Sequence, residues 1–257
     1  MTIGVPVRNG AHHLEGCLRQ LLAQTHKNTQ ILISDNNSTD DTEKIARFWV
    51  KKNHKITYFR QPATLNVTQN FNFLFSKAKG KYFMWAAVDD EWNKDFIRLC
   101  MTKFRDDPKC VLAFTDFRIK IRETGQAIPI SVQSSCAKSP FIRIASRCLD
   151  MQPHLIYGLI NREKLKQVRL KNIDFFDCLF GLEVAKVGNI RISEIQSFSW
   201  CISKKRNSYS IHGNRIQYLP FLRAAMQSVN NLSFIKKLNI FSNLIYFILM
   251  KFRQHTK

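Results

Sequence analysis

The sequence predicts an α/β fold, a mixed and mainly parallel sheet flanked by helices, with a helical extension at its C-terminal end. Three observations carry this prediction. Short apolar runs alternate with segments of helical period over the first hundred residues, acidic residues stand at the ends of two of those runs, and beyond Phe104 the alternation gives way to hairpin and helix signals. A chain of 257 residues is long enough to build such a core without staples.

The first apolar run, Ile3 to Val7, reads as a strand closed by the turn signal Arg8-Asn9-Gly10. Leu14, Cys17, Leu18, Leu21 and Leu22 then fall on one face of a helix, and Gln30 to Ser34 reads as a buried strand ending at Asp35. Ser38 or Thr39 is placed to cap a second helix carrying Thr42, Ile45, Ala46 and Trp49. Ile56 to Phe59 gives a third strand, Val67 to Ala78 a third helix and Tyr82 to Val88 a fourth strand, with Asp89 and Asp90 directly after it. In a sheet of this kind the ligand crevice lies at the carboxyl ends of the strands, where Asp35, Asp89 and Asp90 are expected.

The second half is more mixed. A helix from about Lys94 to Phe104 precedes two strands, Val111 to Phe114 and Phe117 to Ile121, and Glu123 to Gln126 turns into a further strand, Ala127 to Ile130. Ser131 to Ser139 reads as a loop, and helical patterns resume through Ile142 to Leu149 and Phe175 to Val187.

Charge is the abnormal quantity, at 40 Lys and Arg against 19 Asp and Glu, a net +21. An excess of that size implies an anionic partner: nucleic acid, an anionic membrane or a phosphorylated substrate. The longest apolar stretches fall short of the ~20 residues that cross a bilayer. The seven cysteines are never closer than ten positions, which excludes a CxxC pair or a clustered zinc site and suggests reduced, buried thiols. The first residues carry no signal-peptide pattern, so a cytoplasmic location is expected.

From Phe234 onward, Leu238, Phe241, Ile245, Ile248 and Phe252 recur at spacings of three and four, bracketed by Lys236, Lys237, Lys251, Arg253 and Lys257. That stripe suits a helix lying on an anionic membrane, and equally a helix docked on its own domain.

Asp89-Asp90-Glu91-Trp92 bears most directly on chemistry, because adjacent carboxylates after a buried strand need a compensating cation or hydrogen bonds. A divalent ion completed by diphosphate oxygens is one solution, and an acidic turn capping the following helix is the other. Ser34 to Asp41 packs hydrogen-bonding side chains that could read a base or ribose, or merely cap a helix. Asn9, with Pro6 and Arg8, either approaches the same crevice or punctuates a strand.

In order, Ile3-Gly-Val-Pro-Val-Arg-Asn9, Ser34-Asp-Asn-Asn-Ser-Thr-Asp-Asp-Thr42, Asn66-Val-Thr-Gln-Asn70 and Trp85-Ala-Ala-Val-Asp-Asp-Glu-Trp92 form a series that resembles family 2 glycosyltransferases of the GT-A fold over roughly residues 2 to 200. The resemblance implies sugar transfer with inversion from a nucleoside diphosphate sugar, a UDP-sugar above all, to a glycan or lipid-linked acceptor. It implies that Asp35 contacts the base, that Asp89 lies near ribose or metal, and that Asp90 binds Mn2+ or Mg2+. Pro6, Val7, Asn9, Asn37 and Asn70 would complete the nucleotide-sugar pocket. The general base is expected in Asp177-Cys-Leu-Phe-Gly-Leu-Glu-Val-Ala-Lys-Val-Gly188, with Asp177 ahead of its rival Asp174.

The QxxRW motif of processive synthases is missing, with Gln196-Ser-Phe-Ser-Trp200 in a comparable region, which favours single addition. Lys204, Lys205, Arg206 and His212 would either neutralise the leaving diphosphate or form a solvated loop. The expected organisation is a transferase domain over 1–200, its nucleotide-sugar half about 1–93 and its acceptor half about 94–200, followed by a basic extension over 201–257. Assembly of a polysaccharide at the inner face of the cell membrane would account for the charge. A non-catalytic nucleic-acid-binding protein is the competing class, but the sequence has neither an RNP signature nor zinc-finger spacing, so no nucleic-acid partner is expected.

Overall fold

The computed structural model describes residues 1–203, 218–230 and 233–255. Nine strands, in the order β3-β2-β1-β4-β8-β6-β9-β5 with β7 paired to β6, form one mixed sheet among these residues. The N-terminal half is parallel: β1 (Thr2–Val7) lies between β2 (Gln30–Asp35) and β4 (Tyr82–Trp85), and β3 (Ile56–Arg60) forms the edge beyond β2. The connecting helices are α1 (Ala11–Leu22), α2 (Thr42–Lys52) and α3 (Val67–Lys77). Each follows from its apolar stripe; Leu14, Cys17, Leu18 and Leu21 of α1 are all buried, whereas Leu22 is only partly so. Asn66 starts α3 with a capping box, its side chain accepting from Gln69 N while Gln69 answers the Asn66 amide.

Four expectations need correcting. The fourth strand stops at Trp85 rather than Val88, so Ala86 to Asp90 form a turn outside the sheet, anchored by Ala86 N donating to Gly4 O at 2.9 Å. The two strands read over 111–121 are one, β6 (Cys110–Ile121), with an irregularity between Thr115 and Phe117. Neither Ser38 nor Thr39 caps α2, whose N-cap is Asp41, because both are bonded to the neighbouring loop. The acidic motif caps no helix either: β5 (Glu91–Trp92) intervenes and Asp95 precedes α4 (Phe96–Asp106).

Beyond β6 come β7 (Ala127–Ile130), α5 (Pro140–Leu149), β8 (Leu159–Asn161), α6 (Phe176–Val187) and β9 (Asn189–Ile202). Strand β9 runs parallel to β6 and antiparallel to β5, which brings residues 196–202 back beside the acidic motif.

The extension is helical, as α7 (Tyr218–Ser228) and α8 (Phe234–His255), and both helices pack on the body. The buried face of α8 is Ile240 and Leu244, with Ile248 partly covered, and Lys236 sits over the Phe141 ring of α5 at 5.5 Å. That face differs from the stripe read in the sequence, since Phe241 is exposed and Ile245 half-buried. Among the described residues no helix is long and apolar enough to cross a membrane.

Candidate active site

Two loops at the carboxyl ends of β1 and β2 are laced together. Asn9 adopts a left-handed backbone (φ 50°), which places its N–H 2.9 Å from Ser38 Oγ and its side-chain oxygen 2.8 Å from Thr39 N. Gly10 N donates to Thr42 Oγ1 at 2.9 Å and Ala11 N to Asp40 Oδ2 at 3.0 Å. Asn9 is therefore a tie between loops, and the hydroxyls expected to cap a helix fix the crevice wall instead. Pro6 and Val7 form the end of β1 below this turn.

Asp35 ends β2 and is fully buried, yet its carboxylate is well supplied with donors. Ser38 N reaches Oδ1 at 2.8 Å, while Tyr58 OH and Arg60 Nη1 reach Oδ2 at 2.7 and 3.1 Å. Arg60 also bonds Asn37 Oδ1 at 3.2 Å and lies 3.0 Å from Glu43 Oε2. Burial, and then the hydrogen bond to Asp35, pushes the Tyr58 phenol well above its ordinary range, so it stays a donor. Sequence reasoning missed Tyr58 and Arg60. They sit two apart on one face of β3, and the register puts Arg60 opposite Asp35, a long-range fact that no local pattern contains.

Asn70 is placed differently from its expected neighbours. It is buried on α3, accepts from Ser34 Oγ at 2.5 Å and donates to Ser34 O at 3.2 Å, so it holds β2 beneath the loop.

The acidic turn meets these loops. A Cβ added at Gly10 would lie 3.3 Å from Val88 Cγ2, so the β1 turn and the turn leading into Asp89-Asp90 are in close contact, while Val7 Cγ2, 2.5 Å from the same point, leaves no room for a side chain there. Asp90 is buried and its Oδ1 accepts Cys201 N at 3.0 Å, a bond from β9 across the sheet edge. Asp89 is half-exposed and its carbonyl accepts from the Arg122 guanidinium. His13 of α1 is held below its ordinary pKa by burial and then by Arg122, against the pull of Asp89. Burial, then Asp90 and Asp89, raise the Cys17 thiol far out of reach of ionisation. Glu91 is bonded to Lys120 at 2.7 Å and points to another use.

The donor set suits a hard divalent cation. Adjacent carboxylates, one buried and one half-exposed, supply oxygen ligands, and no cluster of three or more His, Cys, Asp or Glu that could hold a metal occurs among the described residues. Mg2+-type ions are commonly held by one or two carboxylates and completed by water and phosphate oxygens.

The remaining wall is α6. Phe180 meets Trp85 at 5.7 Å and Phe176 meets Phe71 at 6.3 Å, which lays the start of α6 against the end of β4 that leads into the acidic turn. Asp177 is in the first turn of α6, half-buried, with Oδ1 accepting Cys178 N at 2.8 Å. Asp174 is 2% exposed and lies close to the Tyr218 phenol, which burial and then Asp174 push upward. Between the two, Phe175 takes a left-handed backbone (φ 58°), a strained conformation for a bulky residue, and its ring is packed 5.5 Å from Tyr218 and 5.6 Å from Phe221 of α7.

Residues 2–174 match Glycosyl transferase family 2. The chain belongs to that family. An uncharacterized glycosyltransferase of Rickettsia bellii is 34% identical over 240 residues, 91% of this chain and 32% of its own length. The putative teichuronic acid biosynthesis glycosyltransferase TuaG of Bacillus subtilis is 24% identical over 181 residues, 67% of this chain and 66% of its own. The chain spans about a third (31%) of the length of the first curated relatives it matches.

Among solved structures, S. aureus TarS 1-349 in complex with UDP-GlcNAc superposes with TM-score 0.73 at 15% identity, covering 95% of this chain and 71% of that 1-349 chain. The mannosyltransferase PcManGT from Pyrobaculum calidifontis, in complex with GDP-Man and Mn2+, gives TM-score 0.60 at 15% identity over 96% and 80% of the two chains. The family 2 chain thus has the GT-A fold expected from its sequence. Of the site residues expected for the family, the Asn9, Asp35, Asn37 and Asp89-Asp90 positions gather at one end of the parallel strands, and Asn70 supports them from below. Lys204, Lys205, Arg206 and His212 lie outside the described residues.

Proposed function

We propose that this family 2 chain transfers a sugar, with inversion, from a nucleoside diphosphate sugar to an acceptor hydroxyl. The observation that carries the reading is the convergence of the laced β1 and β2 loops, the buried Asp90 turn and the start of α6 at the carboxyl edge of the sheet. Asp35, held by Tyr58 and Arg60, presents a fixed polar wall for the base, with Asn9 and Asn37 setting the loop around it. A divalent ion on Asp90, with Asp89 beside it, would offset the diphosphate charge and stabilise the departing nucleotide. Asp177 accepts the proton of the acceptor hydroxyl, whose oxygen bonds the anomeric carbon as the carbon–phosphate-oxygen bond breaks and its electron pair leaves with the diphosphate. Attack on the face opposite the leaving group inverts that carbon.

A UDP-sugar donor is supported by the bound ligand of TarS, and a role in polysaccharide assembly by the likeness to TuaG, a putative glycosyltransferase of teichuronic acid biosynthesis. On this reading residues 1–200 are the transferase domain, 1–93 its donor half and 94–200 its acceptor half, with 201–257 an extension whose helices α7 and α8 pack against them. Net charge +21, with Ile235 exposed 79% next to Lys236 in α8, supports a peripheral position on an anionic membrane that carries the acceptor.

The test is release of nucleoside diphosphate by the purified chain. Release is expected with Mn2+ or Mg2+ and is lost with EDTA and in Asp90→Ala; unchanged turnover in that variant refutes the assignment.

A further inference from the structure

A cavity lies away from the β1 and β2 loops, where α1 meets the edge pair β5 and β9. Its volume is about 270 Å³ and its walls include Gln20, Trp92, Asn93, Arg118, Gln196 and Ser197. The cavity has a structural origin. Between Thr115 and Phe117 strand β6 advances two residues while its partner β9 advances five, from Ser193 to Phe198, so β9 bows out there and carries Gln196 and Ser197 into the wall.

Two of the wall residues hold buried polar atoms with no hydrogen-bond partner among the described residues: Trp92 Nε1 and Ser197 Oγ, on side chains 4% exposed. Buried polar groups in native proteins are nearly always paired, so an indole N–H and a hydroxyl left open beside one cavity point to a missing partner. Gln196 and Arg118 add side-chain donors with no partner among the described residues, whereas Gln20 already accepts the Trp92 N–H of the main chain at 2.7 Å. The charged groups at the rim are one arginine and Glu91, the latter bonded to Lys120. That near-neutral wall is poor for a phosphate, which needs several cations or N–H groups. It suits a ring rich in hydroxyls, set against the amides of Gln20, Asn93 and Gln196 and the hydroxyl of Ser199. The size is just below the ~300–1,000 Å³ of ordinary ligand pockets and is right for one ring, not for a nucleoside diphosphate.

We propose that this cavity is a binding site for a single sugar unit, the acceptor glycan supplying it if the transfer reading above holds. The site is joined to the reaction centre by its own strands. Glu91 and Trp92 directly follow Asp90, and β9 carries both the cavity wall at 196–199 and the Cys201 N–H that holds Asp90 Oδ1. An occupant that fixes β9 therefore also fixes the aspartate proposed to hold the metal.

The experiment uses the full chain labelled at its tryptophan indoles with 15N, the Trp92 signal being assigned by its loss in Trp92→Phe. Glucose, N-acetylglucosamine and galacturonate are the probes. At least one is expected to shift the Trp92 Nε1–H signal and leave that of Trp49 unmoved, and Gln196→Ala, at a half-buried position that the fold does not need, weakens the titration about three- to tenfold, as for one lost hydrogen bond. No shift with any of the three sugars overturns the proposal, as does a titration identical in Gln196→Ala. Nucleotide release is measured on the same samples, so a chain that binds sugar but releases no nucleotide sinks the transfer reading and leaves this site standing, and the reverse result does the opposite.

Discussion

Replacing Asp177 by Asn separates catalysis from folding. The amide keeps an oxygen for the Cys178 N–H, now accepted at 2.8 Å, and fits the same half-buried position, so packing is unchanged. What disappears is a negative charge in the first turn of α6, where the helix field favours an anion by about 0.3–1 kcal/mol. For a chain of this size that is a fall in melting temperature of roughly 1–4 °C. General-base catalysis contributes about 10²–10⁴ in rate, or roughly 2.7–5.5 kcal/mol of barrier. The expected outcome is thus a nearly intact melting curve with acceptor-dependent nucleotide release down at least about a hundredfold. Asp174→Asn is the matched control. At 2% exposure its carboxylate is a buried group, and its loss should cost about 1–3 kcal/mol of stability. The reasoning fails if Asp177→Asn turns over within about tenfold of the parent, and the role passes to Asp174 if its own variant is folded and inactive.

Three further outcomes follow from the geometry. Asn70→Ala removes both bonds to Ser34 and should lower stability in urea by about 2 kcal/mol while raising the KM for donor more than it changes kcat. Burial pushes Asp107 up, but its bonds from Asn189 and Arg191 outweigh that and hold the carboxyl below the ordinary range. Its stabilisation is then fully present above the unfolded value near ~3.9 and lost as pH falls through the lower folded value, so Asp107→Asn should cost about 2 kcal/mol at pH 7 and progressively less in acid denaturation series below about pH 4. Lys236→Glu with Lys237→Glu should reduce flotation with phosphatidylserine-containing vesicles and leave binding to neutral vesicles unchanged; equal flotation of variant and parent removes the membrane reading.

The parallel half of the sheet is legible because each element there announces itself locally. Ile3 to Val7 and Gln30 to Asp35 are apolar runs with turn residues after them, and α1 shows its apolar stripe in five residues, Leu14, Cys17, Leu18, Leu21 and Leu22. The second half is hidden because its strands depend on distant partners. Strands β5 and β8 are two and three residues long and have no period to read. In β9 the alternation of Ile190 and Ile192 breaks before Phe198 at the bowed segment, and the matching irregularity at Thr115 to Phe117 makes β6 read as two strands.

The site divides in the same way. Asp35, Asp89 and Asp90 stand out as carboxylates at strand ends, whereas Tyr58 and Arg60 matter only through the β2–β3 register, and Cys201 only through the return of β9. Local capping chemistry misleads at Ser38 and Thr39, because a tertiary acceptor and donor on Asn9 compete for the same groups.

The contorted backbone of Phe175, clasped by rings on α7, has an implication for how the molecule is made. A left-handed bulky residue stores on the order of 1–3 kcal/mol and persists only when its surroundings insist on it. Those surroundings are Tyr218 and Phe221, synthesised some forty residues after the turn they brace. While they are still inside the ribosome, the ring contacts that hold Phe175 in this backbone do not exist. A nascent chain can thus have its β1 and β2 loops in order while the turn ahead of α6 is still unbraced, and that turn is set only when the later helix packs against it.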